Sequence, residues 1–173
     1  MEILLYISLI IFPSLGVFLT TYIFLKKQED KEKKMLQFDL KKERQKFFLP
    51  NRLESYQRLV LFLERIHPNS LVMRLHNPAY PAKMMQSELL KAIREEFEHN
   101  VAQQLFVSIQ SWEMVKKSKE ETIKIINIAG NQMGTIATST DLSSKIFEIC
   151  NEVGQLPSEI TIEFLKKEFQ EYI

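Results

Sequence analysis

Apolar residues recur at helical spacing through most of the chain, and this pattern predicts an all-α protein. The stripe Leu53, Tyr56, Leu59, Val60, Leu63 and Ile66 predicts an amphipathic helix over residues 51–66. Similar stripes predict helices over 82–100, from Ser108 to about 133, over 142–153 and from Pro157 onwards. Ser108 suits an N-cap, and Gly154 suits a helix C-terminus. No segment shows a clear strand period, and the pattern leaves 101–107 undecided.

Proline-containing segments separate the predicted helices. Pro50-Asn51 precedes the helix over 51–66, and His67-Pro68-Asn69 ends it. After a short apolar piece, 70–75, the turn His76–Pro81 contains two prolines and places Pro81 beside the start of the next helix. Thr138–Asp141 has the composition of a loop and an N-cap.

Residues Ile3–Leu25 carry no charged side chain. At a rise of about 1.5 Å per residue, a helix of this length would cross the ~30 Å hydrocarbon core of a bilayer. A cleaved signal peptide is the alternative, but it needs a basic start and a small-x-small cleavage site. Here Glu2 is the early charged side chain and Lys26-Lys27 follows the apolar run. The sequence therefore predicts an uncleaved transmembrane anchor over 1–25, with the lipid bilayer as its partner.

The charges that follow predict the topology of this anchor. Residues 26–49, called the stalk below, contain nine Lys or Arg and five Asp or Glu, a net charge of +4. The positive-inside rule then places the chain after the anchor in the cytoplasm and the N-terminus outside. The predicted location is the cell inner membrane, single-pass. The same positive charge predicts attraction to anionic lipid headgroups.

The stalk is itself predicted to be helical, because it is rich in Lys and Glu and lacks Gly and Pro. Leu36, Leu40 and Phe47 recur at helical spacing, with Glu43 where another apolar residue would complete the stripe. Two such imperfect heptads fall short of a coiled coil. A solvated single helix is the favoured interpretation, and dimerisation through the stalk is the alternative.

Composition limits the range of functions that we expect for the remaining domain, residues 50–173. The whole chain has a net charge of +1, and this domain has 14 basic and 16 acidic residues, a net charge of −2. No basic face for nucleic acid is predicted. A single cysteine, Cys150, excludes a disulfide within the chain and any multi-cysteine metal site. Cys150 is interpreted as a buried apolar residue, since no His follows it in the chain.

Two Glu-x-x-His pairs are the candidate metal ligands. They are Glu64 with His67 and Glu96 with His99, each pair at the end of a predicted helix. Spacing of i, i+3 places a carboxylate and an imidazole on one helix face, as in di-iron helix bundles. A His near a helix C-terminus is also favoured by the helix dipole alone. The favoured prediction is no metal and no cofactor.

The candidate partner-binding residues lie in and beside the proline-containing turn. They are Arg74, His76, Asn77 and Tyr80, four polar or aromatic side chains close to two prolines. A non-helical segment of this kind is predicted to form the most distinctive surface of the domain.

The layout of anchor, stalk and helices such as Gln57–Arg65 resembles that of small uncharacterised bacterial single-pass membrane proteins with a helical cytoplasmic domain. The resemblance is one of architecture and implies no active site. Together these features predict a membrane-tethered interaction module that binds a protein partner or a second copy of itself. A helical metal-dependent enzyme and an anionic-lipid surface sensor are the alternatives.

Overall fold

The computed structural model describes residues 2–171, with side chains from residue 15 onwards. Over these residues the chain forms six α-helices and one 3₁₀ helix. The helices are α1 (Glu2–Ile66), α2 (Pro68–Leu75), α3 (Ala82–Asn100), α4 (Ile109–Asn131), α5 (Ser139–Val153) and α6 (Pro157–Gln170), with the 3₁₀ helix Val101–Leu105 between α3 and α4. The same residues include no strand, and an isolated bridge joins Pro81 to Thr138. The prediction of an all-α fold is confirmed.

The chain divides into two compact units, residues 1–49 and 50–173. In the first unit, every described side chain from Leu15 to Leu49 is exposed. The second unit contains the hydrophobic core.

The prediction of a transmembrane anchor is wrong for the part of the chain that the structure describes. Within them, no helix contains an apolar stretch long enough to cross a membrane. Of the predicted span, the structure describes the side chains of residues 15–25, and all of them are exposed. Residues 3–14 of the predicted span lie outside the described side chains. The single-pass topology and inner-membrane location, which depended on this anchor, are corrected with it.

The predicted break at Pro50 is also absent, because α1 continues through Pro50 to Ile66. Proline lacks the N–H that would bond to the carbonyl one turn earlier, so α1 lacks one helical hydrogen bond at this position. One turn after Pro50, the Ser55 hydroxyl donates to the Asn51 carbonyl at 2.9 Å.

The core of the second unit is built from one face of each helix. The fully buried large side chains are Leu59, Phe62, Leu63 and Ile66 of α1, Leu71 of α2, Met85, Leu89 and Ile93 of α3, Ile126 of α4, Leu142 and Ile146 of α5, and Leu165 of α6. α4 packs against α3, α5 and α6, and α2 packs against α3 and α5. Every one of these helices therefore has an apolar stripe that packs in the bundle.

Side chains at the helix ends form hydrogen bonds with backbone N–H groups that have no partner within the helix. At the start of α4, the Ser108 hydroxyl accepts from the Ser111 N–H at 3.0 Å. At the start of α5, the Asp141 carboxylate accepts from the Thr138 N–H at 2.8 Å, and Thr138 Oγ1 accepts from the Asp141 N–H at 3.3 Å. The hydrogen bonds from Thr138 lower the pKa of Asp141 below its ordinary value.

The end of α5 depends on a backbone conformation that only glycine adopts readily. Gly154 has φ 75° and ψ −113°, and the next helix begins three residues later at Pro157. We expect Gly154→Ala to lower the free energy of unfolding by about 1–3 kcal/mol, since a side chain there is strained. Chemical denaturation of the full chain measures this change.

Gly134→Ala is the matched control, because a β-carbon at Gly134 meets open space without a positive φ. It should leave the free energy of unfolding within about 0.5 kcal/mol of the original value. If the two substitutions lowered the free energy of unfolding equally, the positive φ of Gly154 would not be the cause.

Candidate functional site

An apolar groove runs along the surface of the second unit between α1 and α6. Its volume is about 380 Å³. Its walls are formed by Leu53, Tyr56, Gln57, Val60, Leu61 and Glu64 of α1 and by Leu165, Lys166 and Phe169 of α6. Leu53 is 40% exposed and Leu61 is 57% exposed, so the groove is open to solvent.

The groove exists because α1 carries two apolar faces between residues 53 and 66. Leu59, Leu63 and Ile66 are fully buried on the face that packs in the core. Leu53 and Leu61 lie on the adjacent face, where they are exposed. A helix that served the bundle alone would need one apolar stripe, with polar residues elsewhere.

Aromatic packing forms the base of the groove. The Tyr56 and Phe169 rings lie 5.3 Å apart between centroids, at an interplanar angle of 49°. This pair contributes apolar surface from both helices, and such tilted ring contacts favour a defined geometry. The groove is therefore a preformed feature of the fold.

A polar cavity of about 430 Å³ adjoins one end of the groove. Glu64 and Lys166 line both, and the cavity is completed by His67, Asn69, Ser70, Glu159, Ile162 and Glu163. His67 Nε2 lies 3.4 Å from Glu159 Oε1. Glu159 also accepts from the Leu156 N–H at 3.0 Å, so its carboxylate caps the start of α6.

A hydrogen-bonded carboxylate secures the other end of α6. Glu168 is half-buried and accepts from the hydroxyls of Ser108, Ser111 and Tyr56. Burial acts to raise the pKa of Glu168, but these hydrogen bonds and the positive charge of Arg52 outweigh it, so the pKa lies below its ordinary value. The network joins α6 to α1 and to the start of α4.

Two further hydrogen bonds join α1 to the residues before α4. Arg52 Nε donates to the Phe106 carbonyl at 3.2 Å, and the Ser55 hydroxyl oxygen lies 2.8 Å from the side-chain amide of Gln103. Arg52 also interacts with Glu168 of α6. Arg52 therefore links α1 both to α6 and to the segment that precedes α4.

The candidate metal ligands have other partners in the structure. Glu96 accepts from Arg65 at 2.5 Å and from Arg74 at 3.3 Å, while His67 lies beside Glu159 and His99 is exposed. Among residues with described side chains, no group of three or more His, Cys, Asp or Glu is arranged to hold a metal ion. Glu64 lies at the wall of the groove instead.

The candidate partner-binding residues of the turn make contacts within the domain. Arg74 pairs with Glu96, His76 Nδ1 lies 3.3 Å from the Ser143 hydroxyl, and Asn77 Oδ1 accepts from the Ala79 N–H at 3.0 Å. The Tyr80 carbonyl accepts from the Ser139 N–H at 2.9 Å. These contacts hold the turn to the start of α5, and a partner site at the turn stays a prediction.

Cys150 is buried, which confirms its interpretation as a buried residue. Burial, together with the negative charge of Glu159, raises the pKa of its thiol above the ordinary value. A raised thiol pKa lowers the thiolate fraction and so disfavours nucleophilic chemistry at this residue.

Sequence reasoning missed the groove because Leu53 and Val60 were included in the inward stripe of α1. In the structure Leu53 is exposed and Val60 is half-buried. The available signal was Leu61, a large apolar residue that does not belong to that stripe. A second apolar face on one helix is the pattern that could have indicated the site.

The fold and this site define an all-α domain with an apolar groove on its surface. The chain belongs to a family of unknown function, DUF7935, whose model matches residues 2–172. No curated protein and no solved structure matches the chain.

The Glu168 network predicts an acid-sensitive contribution to stability. Because folding lowers its pKa, ionised Glu168 stabilises the fold above the pKa of an unfolded-chain glutamate, 4.5, and this contribution is lost as the pH falls through the lowered value. We expect Glu168→Gln to reduce the free energy of unfolding at neutral pH by about 1 kcal/mol. The variant should also lose less stability than the original protein on acidification. Denaturation of the full chain at several pH values measures both effects.

Glu171→Gln is the control, since Glu171 is exposed near the same helix end. It should reproduce the pH profile of the original protein. If Glu168→Gln had the same dependence of stability on pH as the original protein, the hydrogen bonds to Glu168 would not be the source of the acid sensitivity.

Proposed function

We propose that residues 50–173 form a protein-interaction module that binds an amphipathic helix in the groove between α1 and α6. The observation that carries this proposal is the exposure of Leu53 and Leu61 along an open apolar groove of about 380 Å³. Exposed apolar surface of this kind marks interaction sites in folded proteins.

The shape of the groove favours a helical ligand. From Leu53 to Glu64, α1 rises about 16 Å, or roughly three helical turns. A ligand helix of similar length would present apolar residues at i, i+3 or i+4 and i+7 to this wall. Phe169, which is half-buried beside the buried Tyr56, supplies aromatic surface to the groove, and aromatic residues are frequent anchors of interfaces.

Charged groups at one end of the groove would orient the ligand. Glu64 and Lys166 lie where the apolar wall meets the polar cavity. Such rim charges contribute more to orientation and association rate than to affinity. The binding energy would therefore come from the apolar wall.

A direct test uses a fluorescently labelled model peptide, a Leu/Lys/Glu helix with one apolar face, titrated with the full chain and followed by fluorescence polarisation. We expect saturable binding, and we expect Leu61→Asp to weaken it about tenfold or more by placing a charge on the wall. Leu105→Asp is the matched control, because Leu105 is exposed in the 3₁₀ helix and does not line the groove.

Absence of saturable binding to the original protein would refute the proposal. So would equal binding by the original protein and Leu61→Asp. Thermal denaturation of each variant separates a local effect from unfolding.

A further inference from the structure

We infer that the groove binds the stalk of a second copy of this chain, with residues 36–47 lying antiparallel to the groove wall. This inference rests on the proposed function, because it names the helix that the groove receives. It makes the chain a reciprocal dimer, in which each copy supplies one stalk and one groove.

The stalk presents an apolar stripe that fits such a role. Leu36 is 61% exposed and Leu40 is 51% exposed, and Phe47 continues the same stripe. Every described side chain of the first unit is exposed. A helix in water gains most of its stability from packing an apolar face, so a partner surface for this stripe would stabilise the stalk.

The stripe and the groove wall have the same length. Leu36 to Phe47 spans eleven residue steps, as does Leu53 to Glu64, and each corresponds to a rise of about 16 Å. One stalk therefore covers one groove from end to end.

The antiparallel direction is selected by the polar residue within each surface. Glu43 interrupts the apolar stripe of the stalk, and Gln57 interrupts the apolar wall of the groove. With the helices antiparallel, Glu43 lies opposite Gln57, whose amide is a hydrogen-bond donor. In the same register, Leu40 lies opposite Val60 and Leu61, and Phe47 lies opposite Leu53.

The parallel direction is unfavourable for the same residues. Aligning Leu36 with Leu53 places Glu43 opposite Val60 and Leu40 opposite Gln57. A carboxylate buried against an aliphatic wall without a hydrogen-bond partner costs free energy. A parallel coiled coil of two stalks is also disfavoured, because it places Glu43 against its own copy.

Charge complementarity supports a second copy as the occupant. The stalk has a net charge of +4, and residues 50–173 have a net charge of −2. In the antiparallel register, the basic residues Lys33 and Lys34, just before Leu36, approach the polar end of the groove, where Glu64, Glu159 and Glu163 outnumber Lys166. Attraction between these basic and acidic side chains favours the antiparallel direction over the parallel one.

The reciprocal arrangement doubles the contact. Two identical stalk-groove contacts form around one two-fold axis, as in most homodimers. Each contact alone is small, and the pair buries twice the apolar surface.

The first test measures the mass of the full chain by sedimentation equilibrium in a density-matched mild detergent, which limits non-specific association of the apolar residues 3–25. We expect a dimer of twice the 20.4 kDa chain mass. Leu40→Asp and Leu61→Asp should each raise the dimer dissociation constant about tenfold or more. Phe38→Asp is the matched stalk control, because Phe38 is exposed but lies off the stripe. It should change the constant by less than about twofold.

The second test uses a cysteine pair, Glu43→Cys with Gln57→Cys. A disulfide that joins position 43 of one copy to position 57 of the other doubles the mass of the chain on a non-reducing gel. We expect a covalent dimer on a non-reducing gel under mild oxidation, and little from either single variant.

Several results would overturn the inference. Efficient cross-linking of Glu43→Cys alone, with a dimer insensitive to Leu61→Asp, would show parallel pairing of the stalks. A monomeric original protein that still binds the model helix would refute the second copy as occupant and leave the proposed function intact. A monomer that does not bind the model helix would refute both.

Discussion

The fold of residues 50–171 depends on the burial of one face of the last turns of α1. Leu59, Phe62, Leu63 and Ile66 are almost completely excluded from solvent. Phe62 lies 5.9 Å from the Phe97 ring, and Phe97 stacks on Trp112 at 5.5 Å. These aromatic contacts join α1 to α3 and α4, so the end of a very long helix becomes an integral part of a small bundle. The neighbouring face of the same turns then forms the groove wall.

Buried hydroxyl groups accompany this apolar core and allow helices to approach closely. The Ser118 hydroxyl lies 2.8 Å from Thr161 Oγ1 and donates to the Pro157 carbonyl at 3.0 Å, which joins α4 to α6. Ser139 and Ser143 play a similar part around the turn before α3, through Asn77 and His76. The hydroxyls of Ser118, Ser139 and Ser143 are small and hydrogen-bonded, so they add specificity to the packing without the cost of an unpaired polar group.

The positions of the helices in the second unit were largely predictable, because the apolar periodicity and the capping residues indicate the same helix boundaries there. Ser108 and Thr138 cap helices where the sequence predicts, and Gly154 ends α5. The undecided residues 101–107 contain a 3₁₀ helix, and the apolar piece 70–75 belongs to α2, which starts at Pro68. Both are short elements, and a short segment has too few residues to show a period.

Other predictions required information that a linear pattern lacks. Glu-x-x-His spacing predicts only that two side chains share a helix face, and in the structure Glu96 pairs with arginines 31 and 22 residues away. The proline at position 50 is a helix breaker by intrinsic preference, yet α1 continues through it. The membrane anchor was inferred from the apolar length of residues 3–25 and the residues that flank them, and the described residues contain no helix long and apolar enough to cross a membrane.

The sequence by itself determined that this is a helical protein and that its charge divides into a basic stalk and a slightly acidic domain. Those properties follow from local periodicity and residue type. Only the tertiary structure decided which apolar residues of α1 are buried and which form the groove with α6. Burial depends on contacts between residues about 100 positions apart in the sequence, such as Tyr56 and Phe169, and no local pattern specifies such contacts.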